Sequence, residues 1–336
     1  LNYNRTFDKH NFSGVLGFES QKRVGDNFYA QRNLAFSTPY LFAGVDEDQL
    51  GGMSTSGSDL YELAYSSMIG RLNYSYGTRY IGEVQFRYDG SSKFAPGHQW
   101  GFFPSASLGW RVSEEPLFKN IDFLSFTDQL KLRVSYGEMG DDQNANSFGW
   151  ISGYTYPATS GNAEKGYYNQ WAPGYMFDDQ FVYAVAKSAL PNTATTWLTS
   201  RTFDFGVDFE GWNGLFGFTF DYFDRHRDGI FAQSSTALST VVGAAAPQEN
   251  LNSDRYFGID LELTHKNKIG DFIYKVKAIG SITRQMYLTA VQHGSYGNSY
   301  DRWRNDNLNN RYQGVVWGYE GAGRYTSWED IRTYNI

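Results

Sequence analysis

The amino-acid sequence predicts an all-β fold for this 336-residue chain, an antiparallel transmembrane β-barrel of which the chain forms one part. Three observations carry that expectation. Apolar and polar residues alternate one by one over long stretches, the alternating segments are long for globular strands, and their connections sort by length. Alternation matters because side chains on a strand point to opposite faces in turn.

The first alternating segment, residues 11–19, puts Phe12, Leu16 and Phe18 on one face. Residues 65–76 and 80–88 form a hairpin across Gly77-Thr78, with Leu72, Tyr74, Tyr76, Tyr80, Val84, Phe86 and Tyr88 apolar, and Arg71, Asn73, Glu83, Gln85 and Arg87 between them. Residues 101–112 set Ala106, Leu108 and Trp110 against Ser105, Ser107 and Arg111. Residues 129–137 set Leu130, Leu132, Val134 and Tyr136 against Lys131, Arg133 and Ser135. Residues 202–209 and 215–224 alternate Phe203, Phe205, Val207 and Phe209, then Phe216, Phe218, Phe220 and Tyr222, against Asp204, Asp208, Thr219 and Asp221. Residues 257–265 set Phe257, Ile259, Leu261 and Leu263 against Asp260 and Glu262, and residues 271–283 close the series with Phe272, Tyr274, Val276 and Ile282.

Alternation alone is equally the mark of a soluble sandwich with one face buried and one wet. Length separates the two, because a tilted membrane strand needs about 9–11 residues and a globular one averages roughly 5–6. Loop sorting agrees. Gly77-Thr78, 210–214 and 266–270 are tight and 113–128 is of medium length, whereas 20–64, 89–100, 138–200, 225–256 and 284–312 are long. Membrane barrels pair short turns at one end with long loops at the other. Aromatics near strand ends (Tyr76, Tyr80, Trp110, Trp212, Tyr222) suit a membrane interface. The apolar face is then expected to meet lipid, and Arg71, Glu83, Arg87, Arg111, Lys131, Arg133, Asp204, Asp208, Asp260 and Glu262 are expected to line the lumen. A sheet in hydrocarbon must close on itself to satisfy its edges, so these segments are expected to be part of a larger wall.

Composition agrees with this class. Aromatics reach 18%, with 26 Tyr, 26 Phe and 9 Trp, and 36 Gly against 8 Pro suit strands and loops. The formal charge of -7 argues against a nucleic-acid partner. There is no cysteine, hence no disulfide framework and no thiolate metal site. No run of about 18 apolar residues offers a membrane-spanning helix. The opening "LNYNRTFDKH" has no signal-peptide character and reads as mature or truncated sequence.

Between Ser67 and Gly140, "GRLNYSYGTRY", "RYDGSSKF", "WGFFPSASLGWRVSEEPLFK" and "LKLRVSYGEMGDDQ" follow one another in an order and spacing that resembles the SusC/RagA type of TonB-dependent outer-membrane transporter. "WLTSRTFDFGVDFEGWNGLFGFTFDYFDRHRDGIF", "SDRYFGIDLEL" and "GVVWGYEGAGRYTSWEDI" extend the resemblance, with Arg324-Tyr325-Thr326 departing from the family pattern. The resemblance implies a barrel of about 22 strands closed by a plug. It further implies import of oligosaccharides or peptides across the outer membrane of a Gram-negative bacterium, driven through TonB, beneath a SusD-like lipoprotein lid. These residues would then be middle to late barrel wall, with the plug and the last strands outside them.

Sites for chemistry are sparse. His10, His98, His226, His265 and His293 are scattered without an H-E-x-x-H, and the "DEDQLG" at 46–51 lacks the Glu a calcium loop needs at its twelfth position, where Gly57 stands. Loop carboxylates such as Asp141 and Asp142 are more simply solvated, and no nucleophile elbow is present. No catalysis, cofactor or metal is expected. The candidate ligand contacts are loop aromatics, Trp150, Tyr154, Tyr156, Trp171 and Tyr175, beside Asn144, Asn146 and Asn169. Such rings offer flat apolar faces while amides fix orientation. The plainer reading is that they hold the loop together or touch the lid. Two other functions remain open at this point: a barrel that recruits a lipoprotein or secretion partner without transport, and a soluble glycan-binding sandwich.

Overall fold

A computed structural model describes the chain except residues 27, 32–39, 41–49, 53–60, 156–173, 184–185, 188–189, 234–239, 243, 292–297, 301–302, 304–307, 317–324 and 334–336. One antiparallel sheet of eleven strands dominates it, and each strand pairs with its neighbours in sequence. The strands are β1 (Asn2–Phe7), β2 (His10–Gly25), β3 (Tyr61–Tyr76), β4 (Tyr80–Ser91), β5 (Trp100–Arg111) and β6 (Thr127–Asp141). They continue with β7 (Leu198–Gly211), β8 (Phe216–Gln233), β9 (Gln248–Ile269), β10 (Phe272–Thr289) and the short β11 (Arg311–Tyr312).

All nine predicted segments are strands, and most run beyond the alternation that marks them. β8 has 18 residues and β9 has 22, where alternation suggested about ten in each. The extra length lies toward the long connections, where both faces become polar and the period-2 contrast fades. β1 went unrecognised because "NYNRTF" offers little apolar contrast. Its pairing with β2 through the two-residue turn Asp8-Lys9 needs φ +50° at Asp8, a conformation that a short polar side chain tolerates.

Connections alternate as the sequence suggested. One end of the sheet carries 8–9, 77–79, 112–126, 212–215 and 270–271, and the other carries 26–60, 92–99, 142–197, 234–247 and 290–310. The turn at 212–214 is closed by three consecutive left-handed residues, Trp212, Asn213 and Gly214, and the Gly214 amide donates to Asp128 Oδ2 at 2.8 Å.

Register assigns each side chain to a face. The row Trp110–Leu132–Val207–Phe220–Leu261 belongs to one face, and Arg111–Lys131–Asp208–Thr219–Glu262 belongs to the other. The apolar face is uncovered: Phe203 is 40%, Phe205 37% and Leu261 39% exposed. A sandwich would have sealed these side chains inside. Among the described residues, the buried apolar ones are instead Phe94, Ala95, Phe103, Ala145 and Leu198, all at the long-connection end. Phe94 stacks near Trp197 (5.4 Å) and Phe231 (6.4 Å), and Phe103 meets Trp197 edge-on at 5.6 Å. This small cluster anchors the connections to the sheet.

The apolar face is bounded. Toward the short turns lie stacked rings, with Phe126 on Trp212 at 4.6 Å and Phe209 on Phe218 at 5.3 Å. Toward the long connections the same face turns ionic. Arg201 bridges Glu138 (3.3 Å) and Asp228 (2.7 Å), and Arg255 chelates Asp224 at 2.9 and 2.5 Å.

Candidate functional site

All ten charged residues singled out in the sequence share the face opposite the apolar one. The strongest knot sits where β6, β7 and β8 run side by side. Arg133 donates to both carboxylate oxygens of Asp208 (2.9 and 3.1 Å) and to Asp221 Oδ1 (2.9 Å). Gly206 lies between them, and a Cβ there would stand 2.4 Å from Asp221 Oδ1 and 2.7 Å from the Arg133 guanidinium carbon. The glycine thus opens the space that a three-strand ion cluster occupies. Beside it, Lys277 pairs with Glu262 at 2.8 Å. Arg87 forks onto Asp89 with two 3.0 Å bonds. These groups are partly exposed, so each pair contributes at most about 1 kcal/mol. Their joint effect is a strongly hydrated, mixed-charge surface.

Two hollows form where this face meets the long connections. The first, about 310 Å³, is lined by Glu19, Arg23, Tyr65, Arg87, Asp89 and Asp142 among others, with the Arg23 guanidinium 5.6 Å from the Tyr65 ring. The second, about 440 Å³, is walled by Phe148, Trp150, Ile151 and Leu190, with Lys93, Asn146, Asn192, Thr195 and Gln248 among its polar groups. Lys93, only 8% exposed, lines the second and is bonded to Asp142, which lines the first. Its ammonium donates to the Asp142 carbonyl at 2.6 Å and stands 3.7 Å from the Asp142 carboxylate, which also accepts from Ser91 Oγ at 2.7 Å. A buried ammonium needs such a partner, because removing one member leaves a desolvated charge.

Gln248 ties the second hollow together. It accepts from the Asn146 amide (2.7 Å), donates to the Asn144 carbonyl (2.9 Å), and its own carbonyl accepts from Asn192 and Thr195 at 3.0 Å each. The connection 142–197 is thereby fixed to the start of β9, and the Phe148 amide, donating to the Lys93 carbonyl at 3.3 Å, ties in the connection 92–99. Trp150 lines the hollow, and its indole nitrogen is sealed from solvent with no hydrogen-bond partner among the described residues. An unmet buried donor in a protein is uncommon.

Of the other predicted ligand aromatics, Tyr154 is exposed on a two-residue strand paired with Ala186–Lys187, away from the hollow. Tyr175 lies in the strand Gly174–Phe177, opposite Val182, and its side chain falls outside the described residues, as do Tyr156 and Trp171 altogether. Lys93, Asn192 and Gln248 were not anticipated. No local pattern marks them, because their roles arise only when three loops meet. Among the described residues no group of three or more His, Asp or Glu is placed to hold a metal ion.

An uncovered apolar sheet face, an opposite ionic face and loops gathered at one end define the wall of a membrane β-barrel. The sequence profile described as "TonB dependent receptor-like, beta-barrel" matches residues 1–335, so the chain belongs to that family, whose members reside in the outer membrane. It is 37% identical over 147 residues to TonB-dependent receptor P39 of Formosa agariphila, covering 43% of this chain and 13% of that protein. It is 30% identical over 200 residues to TonB-dependent receptor SusC of Bacteroides thetaiotaomicron, covering 60% of this chain and 18% of SusC. In three dimensions it resembles the RagAB peptide importer in its open-open state, with a TM-score of 0.68 at 19% identity, covering 88% of this chain and 29% of the other. The closed-closed state gives 0.67 at 18% identity, covering 88% and 30%. The chain therefore spans under a third of the length of each of these relatives. The SusC/RagA resemblance read from the motifs agrees with these relationships.

Proposed function

We propose that the chain is wall and mouth of an importer that carries oligosaccharides or peptides across the outer membrane, energised through TonB and worked with a SusD-like lipoprotein at its long-loop end. In this reading the long connections face outward, the short turns face the periplasm, and the ten charged residues line a hydrated lumen. Kinship to SusC and a fold shared with a peptide importer support it. One observation carries the ligand assignment: the 440 Å³ hollow gathers rings, amides and the Trp150 indole, whose N–H has no partner among the described residues, at the end where cargo would enter. A turn of the Trp150 side chain on binding would bring its N–H to a bound hydroxyl or carbonyl, while Asn146, Asn192 and Gln248 supply further contacts.

The test is binding and uptake by the full-length transporter. Oligosaccharide and peptide libraries are titrated calorimetrically against wild type and Trp150→Phe, and uptake is followed in cells with and without a proton-motive force. The reading requires at least one ligand class whose affinity falls on loss of the indole N–H and whose uptake stops when energy is withdrawn. Uptake indifferent to the proton-motive force would refute the energised importer. Affinity indifferent to Trp150 would remove the hollow as a subsite.

A further inference from the structure

The medium-length connection 112–126 is an anomaly among the tight turns at its end of the sheet. It folds as three short helical pieces, Val112–Glu114, Pro116–Lys119 and Asp122–Leu124. Both of its ends are fastened to the apolar face. At one end Glu115 Oε1 accepts from the Tyr80 hydroxyl (2.5 Å) and from Trp110 Nε1 (3.1 Å), and Arg79 reaches Oε2 at 3.3 Å. Tyr80 and Trp110 are cross-strand partners in the apolar row. At the other end Phe126 stacks on Trp212 and lies 6.3 Å from Phe209, again on the apolar face, and Phe126 O accepts from the Trp212 amide at 2.7 Å. The segment therefore hangs on the outer side of the wall, away from the ionic face.

Its apolar residues divide in two. Phe118, Leu124 and Phe126 are half-buried toward the protein. Leu117 and Phe123 are each 82% exposed, Phe123 touching only the edge of Phe126 among described rings, and Ile121 is 47% exposed. Three uncovered large apolar side chains within seven residues are costly in water. They are continuous with the belt of Tyr80, Trp110, Phe209 and Trp212, which meets lipid. Of the charged groups of the segment, Lys119 pairs with Glu114 at 2.7 Å and Glu115 sits within its three donors, while the Asp122 carboxylate is exposed with no ion pair among the described residues. That leaves the Leu117–Phe123 surface with apolar contact as its main chemistry.

We propose that residues 116–124 form a foot that lies in the phospholipid leaflet on the short-turn side, inserting Leu117, Ile121 and Phe123 among the acyl chains. The occupant is lipid, because the foot is fastened to the lipid-facing belt at both ends and has no lumen-facing attachment. A foot of this kind fixes the depth and tilt of the wall, as interfacial apolar anchors do.

The experiment uses the full-length transporter in phosphatidylethanolamine nanodiscs, with nitroxide labels placed one at a time at Leu117→Cys, Phe123→Cys, Lys119→Cys and Phe205→Cys. These 336 residues hold no cysteine, and any cysteine elsewhere in the full-length transporter is first replaced by serine. Collision rates with oxygen and with a water-soluble nickel chelate report depth, and heat-modifiable gel migration confirms that each labelled protein is folded. The expected result is an oxygen-to-nickel collision ratio several-fold higher at 117 and 123 than at 119, approaching that at 205. Nickel-dominated collisions at 117 and 123 overturn the foot, and so does protection from both reagents, which would indicate a protein partner in place of lipid. If label 205 is itself nickel-accessible, the lipid-facing wall fails instead, so the two failures are distinguishable. A second measurement, Leu117→Glu with Phe123→Glu, is expected to lower recovery of folded barrel into vesicles several-fold while Lys119→Glu does not. Equal recovery of both also overturns the proposal.

Discussion

Replacing Phe205 by Arg is the sharpest test of which way the wall faces. Phe205 sits on the apolar face between Val134 and Tyr222, and four residues along β7 toward the long connections Arg201 begins the ionic rim. Four residues span about 13 Å of strand, or roughly 10 Å of depth at a tilt near 40°. In the opposite direction the aromatic group of Phe209 and Trp212 begins four residues away. The site is therefore close to the middle of an apolar band about 25 Å tall, where a lipid-facing Arg costs about 2–4 kcal/mol. Phe203, only two residues from the rim, is expected to tolerate Arg at about 0–1 kcal/mol because the side chain snorkels to the ionic band. Thr202, on the ionic face, is expected to be near neutral. Reversible urea unfolding of the full-length protein into phospholipid vesicles, read by gel migration, measures all three. Equal costs at 202 and 205, or no cost at 205, would refute the lipid-facing assignment.

Other expectations follow from particular contacts. Gly206→Val should drive apart the Arg133–Asp208–Asp221 cluster, lowering stability by about 1–3 kcal/mol in the same assay through a steric conflict and partly unpaired charges. Lys93→Met should leave Asp142 buried without its cation and destabilise the mouth by about 3 kcal/mol, seen as faster amide exchange in 92–99 and 142–150 with the strands unchanged. The Glu115 carboxyl is held below its ordinary value of 4.5 first by the Tyr80 hydroxyl, then by Trp110 Nε1, with Arg79 adding to both. A carboxyl lowered in the folded state contributes stability that is fully present above the ordinary value and lost as pH falls through the lowered one. Glu115→Gln should therefore lower the urea midpoint at neutral pH, flatten its fall below pH 4.5, and leave the acid end of the profile nearly unchanged. Trp150→Phe keeps an aromatic face but shrinks it and removes the N–H offered to a ligand, so ligand affinity should fall by about three- to tenfold, measured by calorimetry.

Much of the wall was legible because it rests on a local periodicity. Phe203, Phe205, Val207 and Phe209 alternate with Asp204 and Asp208 whether or not any neighbouring strand is considered. The length of that alternation, with the sorting of short and long connections, is enough to prefer a membrane sheet to a sandwich. Strand ends were less legible. Beyond Asp224 in β8 and before Phe257 in β9 both faces carry charge, since the apolar face is itself crossed there by the Arg201 and Arg255 ion pairs. Of the aromatic ligand candidates, Trp150 could be picked by type and loop position, and it lines the hollow. Tyr154, chosen by the same rule, points to solvent, because residue type says nothing about where a loop turns.

What the sequence by itself determined, then, is the face each strand residue occupies, since a period of two is a property of the extended backbone. Tertiary structure alone decided which distant groups converge. Lys93 with Asp142, Gln248 with Asn144 and Asn146, and Glu115 with Tyr80 and Trp110 are contacts made by the closing of loops. Pairing of that kind depends on register and chain path across the whole sheet, and no local run of residues encodes it.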